Sequence, residues 1–167
     1  MLQRGCRASF VHFHGAPFLT KASSEKASDL AEILTRYQYQ TKLYSVPFGE
    51  IQRQVTLCAP SHLRVVLYRR LMVRIAEVIG QQNQAQALVT GESLAQVASQ
   101  TLTNIGVIQE AANLPILRPL IGMDKNLYRY FFERKMPASM IMVTTDDPES
   151  LRREPVSYTH LTLPTIL

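Results

Sequence analysis

Residues 86–104 read QALVTGESLAQVASQTLTN, and this stretch decides the fold. Its apolar start is short enough for a buried strand, and Gly91 follows, where the missing Cβ lets backbone approach a ligand closely. Ser93 and Gln96 have the spacing of a capping box, which predicts a helix from Ser93 to about Asn104. Free amides and the positive end of a helix dipole would then face an anion such as phosphate. A capped helix without any ligand fits the same pattern.

The rest of the chain alternates apolar strands with amphipathic helices, which is typical of a parallel sheet covered on both faces. The sequence therefore predicts a three-layer α/β fold. The predicted strands are 8–14, 42–46, 86–89 and, bounded by prolines that suit a sheet edge, 115–120. The predicted helices are 23–37, 50–55, 61–79 and 93–104, with a polar loop at 81–84.

Composition predicts an ordinary intracellular domain. The chain has 167 residues, of which 46% are hydrophobic and 19% charged, enough for one core. No apolar run approaches the length of a membrane span, and the polar start MLQRGCR lacks the core of a signal peptide. We therefore expect a cytoplasmic location. Cys6 and Cys58 show neither CxxC nor metal spacing, which favours two small buried thiols over a disulfide.

The net charge of +5 is mild evidence for a polyanionic partner. Much of it comes from the arginine-rich helix predicted at 61–79, so charge alone does not establish nucleic-acid binding. Arg70 and Arg74, one turn apart on that helix, are interpreted as a solvated or RNA-facing pair.

Arg69 lies within an apolar stripe of the same predicted helix. A covered guanidinium is costly unless it meets an anion, and arginine suits bidentate recognition of phosphate. The alternative is a side chain that reaches the surface or pairs with a carboxylate such as Glu77 or Glu110. The pattern by itself favours this alternative.

Four segments of the sequence resemble the ATP pyrophosphatase domain of the tRNA uridine 4-sulfurtransferases, the ThiI-type tRNA 4-thiouridine synthetases. They are FVHFH at 10–14, LYRRLMVRIAE at 67–77, TGESLAQVASQT at 90–101 and LPILRPLIGMDK at 114–125. The resemblance runs from Met1 to about Lys125 and implies a three-layer parallel sheet of the adenine nucleotide alpha-hydrolase-like, or PP-loop, type, incomplete at both ends. Family members also carry a ferredoxin-like region, a THUMP domain and an SGGxDS loop, which do not occur in this sequence.

The resemblance also implies an ATP site, with magnesium expected alongside the phosphates. His12 and Phe13 would cradle the adenosine by backbone contacts and packing, although a histidine at a strand end is more often structural. Gln96, Gln100 and Thr103 form a polar line that is either solvated or faces a ligand. The implied cofactor-binding residues are His12, Phe13, Arg69, Gly91 and Gln100, and no catalytic or metal-ligating residue is assigned.

The likeness stops after Lys125, where family members continue to a cysteine used in sulfur transfer. Residues 126–167 contain no cysteine. In a shifted reading frame, suitable codons for MPASMIMVTT could encode a segment resembling the approach to that cysteine, and the ending VSYTHLTLPTIL resembles translated adapter sequence. We therefore predict a partial ATP pyrophosphatase domain at 1–125 and an aberrant tail at 126–167. A divergent natural C-terminus is the alternative.

The activity implied by the resemblance is ATP-dependent tRNA sulfuration. ATP adenylates a uridine carbonyl oxygen, and persulfide sulfur then displaces AMP; some family members also supply sulfur for the thiazole of thiamine. The implied partners are tRNA and a persulfide donor, a cysteine desulfurase, with a homodimer left open and no membrane involved. We expect the chain by itself to be inactive. The alternatives are an adenine-nucleotide-binding module without chemistry and an inert gene remnant.

Overall fold

The computed structural model describes residues 2, 5–18, 22–38, 40–95, 97, 100–123, 140–146 and 157–160. Helices and strands alternate along most of this range. The strands are β1 (Cys6–His14), β2 (Lys42–Pro47), β3 (Ala87–Thr90), β4 (Ile116–Leu117), β5 (Met140–Asp146) and β6 (Ser157–His160). The helices are α1 (Ala22–Leu34), which continues as a 3-10 turn at Thr35–Tyr37, α2 (Gly49–Cys58), α3 (Ser61–Gln82) and α4 (Leu102–Gln109).

The described strands form one sheet in the order β4-β3-β5-β1-β2-β6. The pairs β1–β2, β2–β6 and β3–β4 are parallel. β5 runs antiparallel to both β1 and β3, so these two strands point the same way on either side of it. Among the described strands, β5 alone opposes the common direction of the sheet.

Helices cover both faces of the sheet, which confirms the predicted three layers. Alternate residues of β1 show the division, because Phe10 packs on the face covered by α1 and Val11 on the face covered by α3. Burial on both sides explains why this strand reads as a nearly continuous apolar run. Phe10 is fully buried, and such a side chain stabilises a fold by about 2–3 kcal/mol.

The N-terminal end of β1 is completed by a side chain. β2 begins its pairing at Leu43, opposite Phe10, so Ala8 has no strand neighbour on that side. The buried Gln38 takes that place: its Oε1 accepts from Ala8 N at 2.8 Å, and its Nε2 donates to Ala8 O at 2.7 Å and to Thr41 Oγ1 at 2.9 Å. We call this arrangement the Gln38 clasp. It satisfies buried backbone groups that would otherwise cost stability.

The predicted helix from Ser93 to Asn104 is wrong. The helix begins instead at Leu102, where Thr101 Oγ1 accepts from Asn104 N at 3.2 Å. The Ser93 hydroxyl donates instead to Met123 O at 2.7 Å, in a turn 30 residues further along the chain. The backbone of the next residue, Leu94, donates to Ile121 O rather than to a helical carbonyl. Contacts with a distant turn have overridden the local capping pattern.

Two parts of the predicted tail are described, and both add strands to the sheet. β5 is a central strand, and its Ile141 and Val143 belong to the core beneath α3. Residues 124–139, 147–156 and 161–167 lie outside the described residues, so most of the predicted tail, including its start, cannot be compared with the structure. The frameshift hypothesis concerns the coding DNA and stays a prediction. Within the described ranges, none of the helices has the length and apolar character needed to cross a membrane.

Candidate functional site

The carboxyl ends of β1 and β3 meet at one edge of the sheet. Val11 and Thr90 both pair with Ile141 of the intervening β5, so the residues that follow them, His12 and Gly91, lie at the same level. Two strand spacings separate them, or about 10 Å. Both residues therefore lie at the C-terminal edge of the sheet. Parallel α/β sheets bind ligands at this edge.

His12 is a buried, neutral histidine. It is 1% exposed, and its ring lies 6.3 Å from the ring of His14, centroid to centroid. Burial, reinforced by repulsion from His14, lowers the pKa of His12 from 6.5 to about 4. The imidazole is therefore uncharged near neutral pH and cannot attract phosphate as a cation.

Phe13 faces the core, not the edge. Its ring is 3% exposed and meets Phe48 edge-on at 5.5 Å. The ring thus packs against protein, and the expectation that it packs against adenosine stays a prediction. The backbone of Phe13 remains at the C-terminal end of β1, beyond the pairing of His12 with Met140.

Arg69 lies at the same edge, on α3. The neighbouring Tyr68 contacts Phe48 just beyond the end of β2, whereas Gly80 approaches Val143 in the middle of β5. α3 therefore runs from the C-terminal edge toward the opposite edge. The helix rises about 16 Å from residue 80 back to residue 69, while β3 rises only about 10 Å from Leu88, the partner of Val143, to residue 91. By these rises, the backbone of the half-buried Arg69 lies beyond the level of Gly91.

The neighbouring charges on α3 correct one expectation. The Arg70 guanidinium donates to Val107 O on α4 and lies 3.8 Å from Glu110, so Arg70 is not part of a solvated pair. Arg74 is exposed, as predicted. Glu77 is buried and accepts from the backbone N of the residues at 113 and 114, at 2.6 and 2.8 Å. Glu77 thus binds backbone amides, and Glu110 lies near Arg70.

Gln100 lies close to Gly91 in sequence, in the segment between β3 and α4. We call the described residues of this segment, 91–95, 97, 100 and 101, the edge loop. Its backbone carbonyl accepts from Ala95 N at 2.9 Å. Its side chain is buried, and its Oε1 has no hydrogen-bond partner. Because Gln100 precedes α4, the predicted polar line with Thr103 on one helix face does not form, and Gln96 lies outside the described residues.

A buried ion pair at this edge was missed from the sequence. Arg118 Nε donates to Glu92 Oε2 at 2.7 Å, and the two side chains are only 10% and 5% exposed. Thr90 Oγ1 donates to the same carboxylate oxygen at 3.1 Å, and Arg118 Nη1 donates to Gln109 Oε1 at 2.8 Å. We call these four residues the Glu92–Arg118 cluster. A signal was available, because opposite charges follow the adjacent parallel strands β3 and β4.

An open groove of about 520 Å³ lies beside the end of β1, against α2. Its lining is mostly apolar and consists of Gly15, Phe18, Gly49, Gln52, Arg53, Thr56 and Leu57. Within the part of the chain that the structure describes, no three His, Cys, Asp or Glu side chains are grouped to hold a metal ion. Because its lining is mostly apolar, the groove suits an apolar organic group.

These features define a class of protein. Helices cover the sheet, its parallel strands end at one edge near Gly91, and the half-buried Arg69 of α3 lies at the same edge. This arrangement is typical of the α/β proteins that bind ligands beyond their strand ends. Residues 1–129 match the family model described as Thiamine biosynthesis protein (ThiI). The chain therefore belongs to the ThiI family, as its motifs predicted.

Two relatives named as probable tRNA sulfurtransferases match most of the chain. The chain is 54% identical over 125 residues to a probable tRNA sulfurtransferase of Thermus thermophilus, covering 75% of this chain and 31% of that protein. It is 48% identical over 124 residues to a probable tRNA sulfurtransferase of Nocardia farcinica, covering 74% and 30%. The chain spans under a third of the length of these relatives.

A crystal structure of a 4-thiouridine synthetase–RNA complex with bound ATP has a similar fold. The TM-score is 0.64 with 34% sequence identity, over 70% of this chain and 31% of that one. The predicted adenine nucleotide alpha-hydrolase-like fold is thus confirmed.

Proposed function

We propose that this chain carries part of the ATP site of an ATP-dependent tRNA sulfurtransferase. The observation that supports this most is the shared edge, where His12 and Gly91 lie level and the backbone of Arg69 lies beyond the level of Gly91. The complete enzyme would adenylate a tRNA uridine, replace its 4-oxygen with sulfur and release AMP. The 4-thiouridine synthetase with RNA and ATP, similar in fold, supports the same nucleotide and the same class of RNA.

Each residue of the proposed site has a different chemical task. The charged Arg69 would neutralise phosphate oxygens, while Gly91 admits close approach of backbone amides. The buried Gln100 carries an unpaired amide oxygen that could accept a hydrogen bond from the nucleotide. His12 and Phe13 would contribute backbone groups, because the imidazole is neutral and the phenyl ring is in the core.

Among the described residues, no three His, Cys, Asp or Glu side chains are grouped as metal ligands, and Glu92 is paired with Arg118. We expect the ion to arrive on the ATP phosphates. The sulfur donor would be a cysteine desulfurase persulfide, and we place the protein in the cytoplasm. A role in thiamine thiazole synthesis and a homodimer are further proposals that come from the family.

A nucleotide-binding module without sulfur transfer is the second candidate. It is favoured by the positions of the cysteines, which are Cys6 on β1 and Cys58 at the end of α2. Neither lies in residues 126–167, where family members carry their sulfur-transfer cysteine. Incubation of the purified chain with ATP, magnesium, a persulfide donor and unmodified tRNA tests this point. We expect no 4-thiouridine by mass spectrometry, and product above a no-protein control would contradict the expectation.

Arg69→Ala tests the ATP site. Loss of a charged contact to phosphate from a half-buried site should weaken ATP binding by about 1.5–3 kcal/mol, or roughly ten- to a hundredfold. Isothermal calorimetry on the 167-residue chain measures the effect. Arg74→Ala is the matched control, because this arginine is exposed on the same helix and should leave the affinity unchanged. Equal affinities for both variants would remove Arg69 from the site.

A further inference from the structure

The Glu92–Arg118 cluster joins three elements at the C-terminal edge. Glu92 begins the edge loop after β3, Arg118 follows β4, and Gln109 ends α4. Arg118 is fixed at Nε by the carboxylate at 2.7 Å and at Nη1 by the amide oxygen at 2.8 Å. A planar guanidinium held at two nitrogens has a single orientation. The edge loop is therefore anchored one residue after Gly91.

Backbone contacts extend this anchor along the loop. Leu94 N donates to Ile121 O at 2.9 Å, and Ser93 Oγ donates to Met123 O at 2.7 Å, so the turn after Arg118 also holds the loop. Ala95 has a φ of 59° and donates to Gln100 O. A left-handed alanine is strained and persists only where its surroundings impose it. Residues 93–95 are thus tied to the turn after Arg118 and to Gln100.

The cluster is also incompletely satisfied, in contrast to an ordinary structural ion pair. Arg118 Nη2 is buried without a hydrogen-bond partner, and so is Gln100 Oε1 in the same loop region. Buried polar atoms are almost always paired, so an unpaired one calls for an explanation, and a bound ligand is one such explanation. Gln100 Oε1, an unpaired acceptor, is therefore the group that this part of the loop can offer to a ligand.

We propose that Glu92 and Arg118 are positioning residues for nucleotide binding. Their buried ion pair holds the edge loop so that Gly91 and Gln100 face the ligand. This role deepens the proposed ATP site and rests on it. Glu92 and Arg118 themselves act through the loop, because both side chains are buried against protein.

Two sets of variants test the role. Arg118→Lys keeps the positive charge but loses the fork that holds Glu92 and Gln109 together. It should weaken ATP binding about tenfold, as loss of an orienting partner does in metal sites. The double variant Glu92→Leu with Arg118→Met replaces the pair with apolar groups, which often restores stability. We expect its thermal midpoint to return close to that of the wild type while its ATP affinity stays reduced.

Gln38→Leu is the matched control, since it removes a buried polar side chain at the opposite edge and should leave ATP affinity unchanged. If the double variant regains affinity together with stability, the pair is merely structural and the proposal is overturned. Amide hydrogen exchange provides a readout without ligand: Leu94 and Ala95 should exchange faster in Arg118→Lys, and unchanged exchange would also overturn it. Absence of ATP binding by the wild type would instead contradict the proposed function.

Discussion

The two ends of the central strands bury polar side chains in opposite ways. At the N-terminal end, the Gln38 clasp uses one amide to satisfy both backbone groups of Ala8 and the hydroxyl of Thr41. At the C-terminal edge, the Glu92–Arg118 cluster makes strong bonds but leaves Arg118 Nη2 unpaired, and the nearby Gln100 Oε1 is unpaired as well. The clasp completes the hydrogen bonding of β1, whereas the cluster fixes the start of the edge loop against β4 and α4.

Hydrogen-bond satisfaction distinguishes a structural polar group from a candidate functional one, whereas burial does not. All of these side chains are nearly inaccessible, yet the hydrogen bonds of the clasp are complete and those of the edge are not. An incomplete set of hydrogen bonds costs free energy, and a fold keeps it where a ligand or a required loop conformation compensates. The edge with unpaired atoms is also the edge where the parallel strands end.

The largest effect should follow from breaking the ion pair on one side only. Arg118→Met leaves the Glu92 carboxylate buried without its cation, which should lower the free energy of unfolding by about 3–5 kcal/mol. Urea denaturation followed by circular dichroism measures the change. Arg53→Ala breaks an exposed pair with Glu50 and should have a small effect. Similar losses in both variants would show that the buried pair is not special.

Acid should lower the free energy of unfolding, because the folded protein keeps His12 neutral. Its pKa is about 4 in the folded protein and 6.5 when unfolded, so the unfolded chain takes up a proton first as pH falls. Stability should decrease by about 3 kcal/mol as pH falls from 6.5 to 4 and level off below that range. Denaturation midpoints across this range measure the slope.

His12→Gln should remove most of that slope. His14→Gln should keep most of it, because burial is a larger cause of the lowered pKa than repulsion from His14. His62 is exposed, so His62→Gln serves as the control and should leave the slope unchanged. A slope that survives in His12→Gln would assign the acid sensitivity to other groups.

Gln38→Leu tests the clasp. The variant leaves the buried N–H and C=O of Ala8 unpaired, which should cost about 2 kcal/mol of unfolding free energy. Gln40→Leu is the comparison nearby, since Gln40 is exposed and its side chain accepts from Arg7 at 3.3 Å. A stability loss below that of Gln40→Leu would mean that water replaces the clasp without penalty.

The smallest effect concerns the start of α4. Thr101→Ala removes the N-cap and should cost about 1 kcal/mol, whereas the exposed Thr103→Ala within the helix should change little. Thermal unfolding of the two variants compares them directly. Equal midpoints would argue against a helix that begins at Leu102 and would reopen the start predicted at Ser93.

Local patterns were sufficient for most elements near the site. The apolar runs predicted β1, β2 and β3 to within two residues, and helical periodicity predicted α3, which extends three residues beyond its predicted end. The shared edge followed from strand direction, since parallel strands end on the same side. The sequence was also enough to indicate the family, because four motifs occur in order and residues 1–129 match its model.

Tertiary contacts decided the rest. Residues 26 apart form the Glu92–Arg118 pair, and Ser93 bonds a carbonyl 30 residues away, so no local pattern could predict that the helix starts late. Packing against Phe48 likewise decides which way the Phe13 ring points. The central position of the antiparallel β5 depends on its pairing with both β1 and β3. The sequence by itself determined the strands, α3 and the family, because periodicity and motifs are local. Only the folded chain decided which polar groups meet, because their pairing is set by packing between distant segments.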